Sequence, residues 1–120
     1  MTVTADAVEA VLATTRIKGC CNPVAAPLPG TKADALAATY KALGDPTRIQ
    51  MLHILANASD PVCVCDFTAA FDLGQLTISH HLATLREAGI VTSFKRGIWA
   101  FYQLNPAMPA AALAVVEQLS

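Results

Sequence analysis

From Gly74 to Tyr102 the spacing of apolar positions changes from that of a helix to that of strands. Ile78, Leu82 and Leu85 recur at offsets of four and three, which puts them on one stripe of a helix. Ile90 to Phe94 and Ile98 to Gln103 then read as two short strands bracketing Lys95, Arg96 and Gly97. Upstream, a helix is expected from Lys32 to Leu43 with Leu36, Tyr40 and Leu43 inward and Gly44 at its end. Asp45 is placed to cap the next helix with Pro46 in its first turn, and Ile49, Leu52 and Leu55 continue an apolar stripe. After a turn at Asn57 to Pro61, a further helix opens around Cys63, with Phe67, Ala70 and Phe71 as its inner face. At the ends, Thr4 to Thr15 reads as a helix with Val8, Val11 and Leu12 on one face. Asn105, followed by Pro106, is expected to cap a last, very apolar helix.

This order predicts a mainly α chain with a small β-hairpin (α+β). The helix at Cys63 and the one after Gly74 form a helix-turn-helix, and the hairpin forms a wing. Opposite the buried stripe lie Leu76, Thr77, His80 and Thr84, with Gln75 and Ser79 at the margin. Such short, uncharged side chains at the front of a helix suit base edges in a major groove, while Lys95 and Arg96 suit phosphate. A helix packed on a hairpin with no ligand fits the same pattern. The expected organisation is an N-terminal helix and cysteine-bearing arm (1–31), a winged helix-turn-helix (32–104) and a C-terminal helix (105–120). That last helix is apolar around so much of its circumference that it serves either a homodimer interface or closure of the monomer core. His53 has no second ligand at helical spacing and is assigned no chemistry.

Composition narrows the function. At 120 residues, 54% of them apolar, one folded domain is expected, small enough to gain from pairing with a second copy. A net charge of −1 gives no general attraction to nucleic acid, so DNA binding must rest on a local cluster, for which Arg48, Arg86, Lys95 and Arg96 are available. There is no apolar run long enough for a bilayer, and the first fifteen residues carry acids without Lys or Arg, unlike a secretory leader. A cytoplasmic setting with reduced thiols is therefore expected. An enzyme is disfavoured: there is no C-x-x-C spacing, no glycine-rich phosphate loop and no nucleophile with an obvious base.

The four cysteines form two tight pairs. Cys20 and Cys21 lie in RIKGCCNPVAAPLPGT, whose three prolines and two glycines predict an irregular, exposed arm. Arg16 and Lys18 beside them favour thiolate. Cys63 and Cys65, two apart, face nearly opposite sides of an ideal helix and converge only if its first turn is distorted. A helix start favours thiolate there, and sulfur-only ligation selects soft ions. Three thiolates suit pyramidal As(III) or Sb(III), and four suit tetrahedral Zn(II), Cd(II) or Pb(II). As small buried hydrophobes the cysteines would need no ligand, but a proline-rich arm has little interior to bury them.

Over residues 32 to 104 the chain resembles the ArsR/SmtB family of metal-responsive transcriptional repressors. The likeness is carried by KALGDPTRIQML (Lys41 to Leu52), CVCDF (Cys63 to Phe67) and QLTISHHLATLREAGIV (Gln75 to Val91). The resemblance implies a homodimer that holds a palindromic DNA operator until an ion lowers its affinity. Gln75, Thr77, Ser79, His80 and, as a further position, His81 match DNA-reading positions, with Lys95 and Arg96 on the wing. Leu76 stands where the family often has Pro or Ser. Thr68 stands where some arsenic sensors place a third cysteine, so Cys20 and Cys21 are expected to complete the site with Cys63 and Cys65. The last helix lacks the family's zinc ligands. The expectation is a repressor induced by As(III) or Sb(III); the alternatives are Cd(II) or Pb(II) as inducer, or a thiol redox switch.

Overall fold

A computed structural model describes Arg16, Ile17 and residues 20–120. The helix expected over Thr4 to Thr15 lies outside the described residues. The chain divides into two compact units, Met1–Asp34 and Ala35–Ser120.

In the first unit, β1 (Arg16–Ile17) and β2 (Val24–Ala25) pair antiparallel, with Arg16 opposite Ala25 and Ile17 opposite Val24. The segment is therefore not wholly irregular. Backbone pairing closes a small loop that presents Cys20 and Cys21. Helix α1 (Gly30–Leu43) starts two residues earlier than expected, because the carbonyl of Pro29 already accepts from the amides of Lys32 and Ala33.

The second unit continues from α1 through α2 (Pro46–Ala56), β3 (Val62–Cys63), α3 (Val64–Phe71), α4 (Gln75–Glu87), β4 (Val91–Arg96), β5 (Trp99–Leu104) and α5 (Ala110–Leu119). Its sheet has three strands in the order β3-β5-β4, all neighbours antiparallel. The two wing strands were expected; β3 was not, since two residues carry no periodicity of their own. Among the described residues no helix is long and apolar enough to cross a membrane.

The core collects Met51, Leu52 and Leu55 from α2, Val64 and Phe67 from α3, and Ile78, Leu82 and Leu85 from α4. Ile90, Val91, Tyr102 and Ala112 close it. Phe67 is fully buried as expected, but Ala70 is exposed and Val64 takes its place inside. In α1 the inward residues are Thr39, Ala42 and Leu43, whereas Leu36 and Tyr40 stand 41% and 44% exposed. The expected stripe thus has two sides: its C-terminal part meets the core, and its middle has no cover within this unit.

Helix ends follow local chemistry. Asp45 caps α2 in an extended conformation, its carboxylate accepting from the Arg48 amide at 3.1 Å, with Pro46 in the first turn. Helix α4 ends in a paired arrangement: Gly89, at φ +74°, donates to the Arg86 carbonyl at 2.9 Å and Ile90 to that of Leu85 at 3.0 Å. Leu85 and Ile90 are both fully buried, so the chain leaves the helix by turning back onto the core. Helix α5 begins at Ala110, later than expected. Pro109 biases Met108 away from helical angles, and the Asn105 side chain accepts from the Ala107 amide in a tight turn instead of capping a helix. Its Ala111, Ala112 and Val116 face inward, while Leu113 stays 46% exposed. The far end of α5 is tied to α2, since Nδ1 of His53 lies 3.0 Å from the Leu119 carbonyl, and the Asn57 amide donates to the same oxygen at 3.0 Å.

The Asp45 carboxyl is held below the usual carboxylate range, chiefly by the Arg48 amide and further by the nearby His81 and Arg48 charges, against a smaller opposing effect of burial. The charged form is thus the one the fold favours: its stabilising contribution is complete above pH 3.8 and fades as pH falls through the lower folded value. Asp45→Ala is expected to cost about 1 kcal/mol. The loss is read as a lower urea midpoint at pH 7 that narrows toward wild type in strong acid.

Candidate functional site

Helix α4 owes its orientation to Ile78, Leu82 and Leu85, each with 0% exposure. With that stripe inside, Gln75, Leu76, Thr77 and His80 face solvent, Leu76 at 85% exposure, while Ser79 is half-buried. Gly74 precedes the helix in an extended conformation without a side-chain cap, so the front of α4 is unencumbered. The Thr84 hydroxyl is already committed, donating to the His80 carbonyl at 3.1 Å. His81 does not share the outward face. Its ring is half-buried, with Nδ1 3.0 Å from an Arg48 guanidinium nitrogen and 3.9 Å from the Asp45 carboxylate.

Arg48, expected in a basic cluster, is a structural residue. Its guanidinium donates to the carbonyls of Ala42 at 2.6 Å and Lys41 at 3.3 Å, satisfying the end of α1, and meets His81 of α4. One side chain therefore ties α1, α2 and α4 together. Arg86, although exposed, reaches the Tyr102 hydroxyl at 3.5 Å. Lys95 and Arg96 are exposed, and both belong to strand β4, not to the turn. The turn itself is Gly97 and Ile98, with Arg96 opposite Trp99. Gly97 sits at φ +65° in the first central position, where a tight hairpin of this hand requires a residue without Cβ. The tip is consequently apolar: Ile98 is 88% exposed and Trp99 about half. Phe94 and Phe101, opposite in the ladder, stack at 5.5 Å between ring centroids, and Arg96 lies 5.9 Å over the Phe94 ring.

Cys63 occupies a junction. As the last residue of β3 it pairs with Phe101 of the wing, and as the residue before α3 it takes an extended conformation, its amide donating to the Asp66 carboxylate at 3.3 Å. The backbone bend there puts the Cys63 and Cys65 side chains on one cleft, whereas two residues so spaced inside a regular helix face nearly opposite sides. Cys63 is buried and Cys65 exposed, and both are free thiols. The Cys65 thiol is pushed up from its ordinary range, first by its hydrogen bond with Cys63, then by desolvation and by the negative charges of Cys63 and Asp66. The helix start was expected to favour thiolate; the neighbouring sulfur and carboxylate outweigh it. Cys63 and Cys65 line a cleft of about 550 Å³ together with Thr68, Gln75, Ser79 and Trp99, so thiols, reading helix and wing share one cavity. The wing's contribution to this cleft was not foreseen; its only sequence signal is the apolar pair Ile98–Trp99 after the glycine of the turn. In the other unit, Cys20 and Cys21 are exposed free thiols with sulfurs 3.7 Å apart. Among the described residues no three His, Cys, Asp or Glu side chains are gathered to hold an ion.

Residues 45–93 match the family model described as bacterial regulatory protein, arsR family. The arsenical resistance operon repressor of Escherichia coli (strain K12) is 39% identical over 66% of this chain and 67% of its own length. The chain belongs to the arsR family. The arsenic resistance transcriptional regulator ArsR1 of Pseudomonas putida is 44% identical over 58% of this chain and 54% of its own. Of solved structures, HlyU from Vibrio cholerae superposes with a TM-score of 0.63 at 26% identity, covering 76% of this chain and 94% of that one. A possible ArsR-family regulator from Mycobacterium bovis, solved in solution as a homodimeric winged helix-turn-helix DNA-binding domain, gives 0.62 at 24% identity over 78% and 85%. As an arsR-family protein, the chain is a DNA-binding transcriptional regulator of winged helix-turn-helix fold and not an enzyme.

Because Arg48 donates to two helix-terminal carbonyls and meets His81 at once, Arg48→Ala is expected to cost about 1 kcal/mol, the range for hydrogen bonds at partly exposed acceptors. Urea unfolding measures it, and a change below a few tenths would show that water replaces the guanidinium.

Proposed function

We propose that this protein is a homodimeric repressor that releases its operator when trivalent arsenic, or antimony, binds cysteine sulfur. Support comes first from the Cys63–Cys65 pair lining the same cleft as Gln75 and Ser79 of the reading helix, so that a ligand on sulfur acts within one cavity of the DNA-reading surface. The arsenical-resistance relatives point the same way. Gln75, Thr77, Ser79 and His80 read base edges, Leu76 packs on a thymine methyl, and Lys95 and Arg96 hold phosphate. His81 acts through position, fixing α4 against Arg48. The uncovered Leu36, Tyr40 and Leu113 form the apolar surface that a second copy buries.

In the induced state Cys20 and Cys21, of the same or the partner subunit, complete the arsenic site with one or both of Cys63 and Cys65. Binding draws the two reading heads to a spacing that no longer fits successive major grooves, which requires only a few kcal/mol of differential affinity. Titration of a labelled operator with and without arsenite is the direct test: affinity falls at least about tenfold, the effect of about 1.4 kcal/mol of coupling, and equal affinity refutes the reading. Cys20→Ser with Cys21→Ser abolishes release and leaves DNA binding intact.

Proton release separates arsenic from Cd(II) or Pb(II) as inducer. Arsenous acid is neutral and its hydroxides carry the thiol protons away as water, whereas a divalent cation must expel protons into solution. Between pH 6 and 8, arsenite affinity is expected to stay nearly flat, and Cd(II) affinity to rise about tenfold per pH unit for each proton released. Competitive titration at several pH values measures both slopes.

A further inference from the structure

We infer that Lys41, in the last turn of α1, is a further DNA contact: it holds a backbone phosphate beside His80, on the flank of α4 opposite the wing. This rests on the reading that α4 enters a major groove, and it places a contact on an element outside the helix-turn-helix and the wing.

Two grooves run along α4. One is the cleft in which Gln75 and Ser79 meet Ile98 and Trp99 of the wing. The other, about 370 Å³, lies between α1 and α4 and is lined by Lys41, Arg48, His80, Thr84 and Glu87. By helical rotation Gln75 and Ser79 share one side of α4, and His80 and Thr84 share another. The grooves therefore border the outward face on its two sides. A helix seated in a major groove about 12 Å wide has a phosphate backbone along each of its flanks. Lys95 and Arg96 belong to the wing, on the Gln75 side.

On the other side the supply of donors is short. The Arg48 guanidinium is taken by two carbonyls and His81, and the Thr84 hydroxyl by the His80 carbonyl. Lys41 is exposed, and among the described residues it is in no ion pair. One guanidinium bridges the Lys41 carbonyl and the His81 ring, which sets the last turn of α1 level with His80 and His81. Glu87 lies about 10 Å further along α4 by helix rise, so its carboxylate borders the far end of the groove. A lysine suits the place, since a compact charge on a flexible stem meets a phosphate oxygen without a fixed geometry. In a chain of net charge −1, one such cation is a large share of the attraction to a DNA backbone.

The test compares wild type, Lys41→Gln and Lys41→Arg on the operator and on an unrelated duplex over a range of salt. Each phosphate contact adds about 0.9 to the slope of log affinity against log salt. Lys41→Gln is expected to lower the slope by about 0.9 per subunit and to weaken both duplexes by one factor, about tenfold per subunit at about 0.1 M salt. Lys41→Arg keeps the wild-type slope. The double variant Gln75→Ala with Thr77→Ala instead loses preference for the operator and keeps the slope. Operators carrying a single neutral methylphosphonate linkage then locate the contact: one position in each half-site weakens wild type and leaves Lys41→Gln unaffected. A wild-type slope in Lys41→Gln, a lowered slope in Lys41→Arg, or methylphosphonates that weaken wild type and Lys41→Gln alike at every position overturns the inference. The two readings fail separately. Full operator preference in the Gln75–Thr77 double variant, with a lowered slope in Lys41→Gln, refutes base reading by α4 alone; the reverse pattern refutes the phosphate contact alone.

Discussion

Burial of Ile78, Leu82 and Leu85 is the constraint on which the rest depends. With these three side chains at 0% exposure, α4 has one permitted rotation about its axis, and the identity of its outward residues follows from that rotation. The ends of the helix reinforce it. Gly89 and Ile90 fold back onto the carbonyls of Arg86 and Leu85, and Arg48 grips His81 from the α2 side. The outward face of α4 is thereby set by apolar contacts and hydrogen bonds on its other sides.

The second consequence concerns how a signal reaches that surface. Cys63 is at once the end of a strand paired to the wing, the residue that opens α3 and a wall of the cleft that also contains Gln75 and Ser79. Under the proposed function, an occupant on sulfur would meet α4 and the wing together, because all three line one cavity.

The unit also leaves apolar surface uncovered in two kinds of place. Leu36, Tyr40 and Leu113 lie on helices, whereas Ile98 and Trp99 lie on the wing. The first group has the character of a surface for a second copy; the second belongs to the cleft and the wing tip.

By itself the sequence determined the helix order, the cap at Asp45, the buried stripe of α4 and hence its outward face, and the two wing strands, because each is written in local spacing or in a single residue's chemistry. It also marked both cysteine pairs. Only the tertiary structure decided what lies across from what. Strand β3 is two residues long and exists only because β5 is there to pair with it. Arg48 and Arg86 read as free cations until the fold brought Ala42, His81 and Tyr102 within their reach. Leu36 and Tyr40 read as core because period alone cannot tell a stripe that meets its own core from one left uncovered. The cleft is formed by residues up to 39 positions apart, Cys63 to Tyr102, and no local pattern encodes such a meeting.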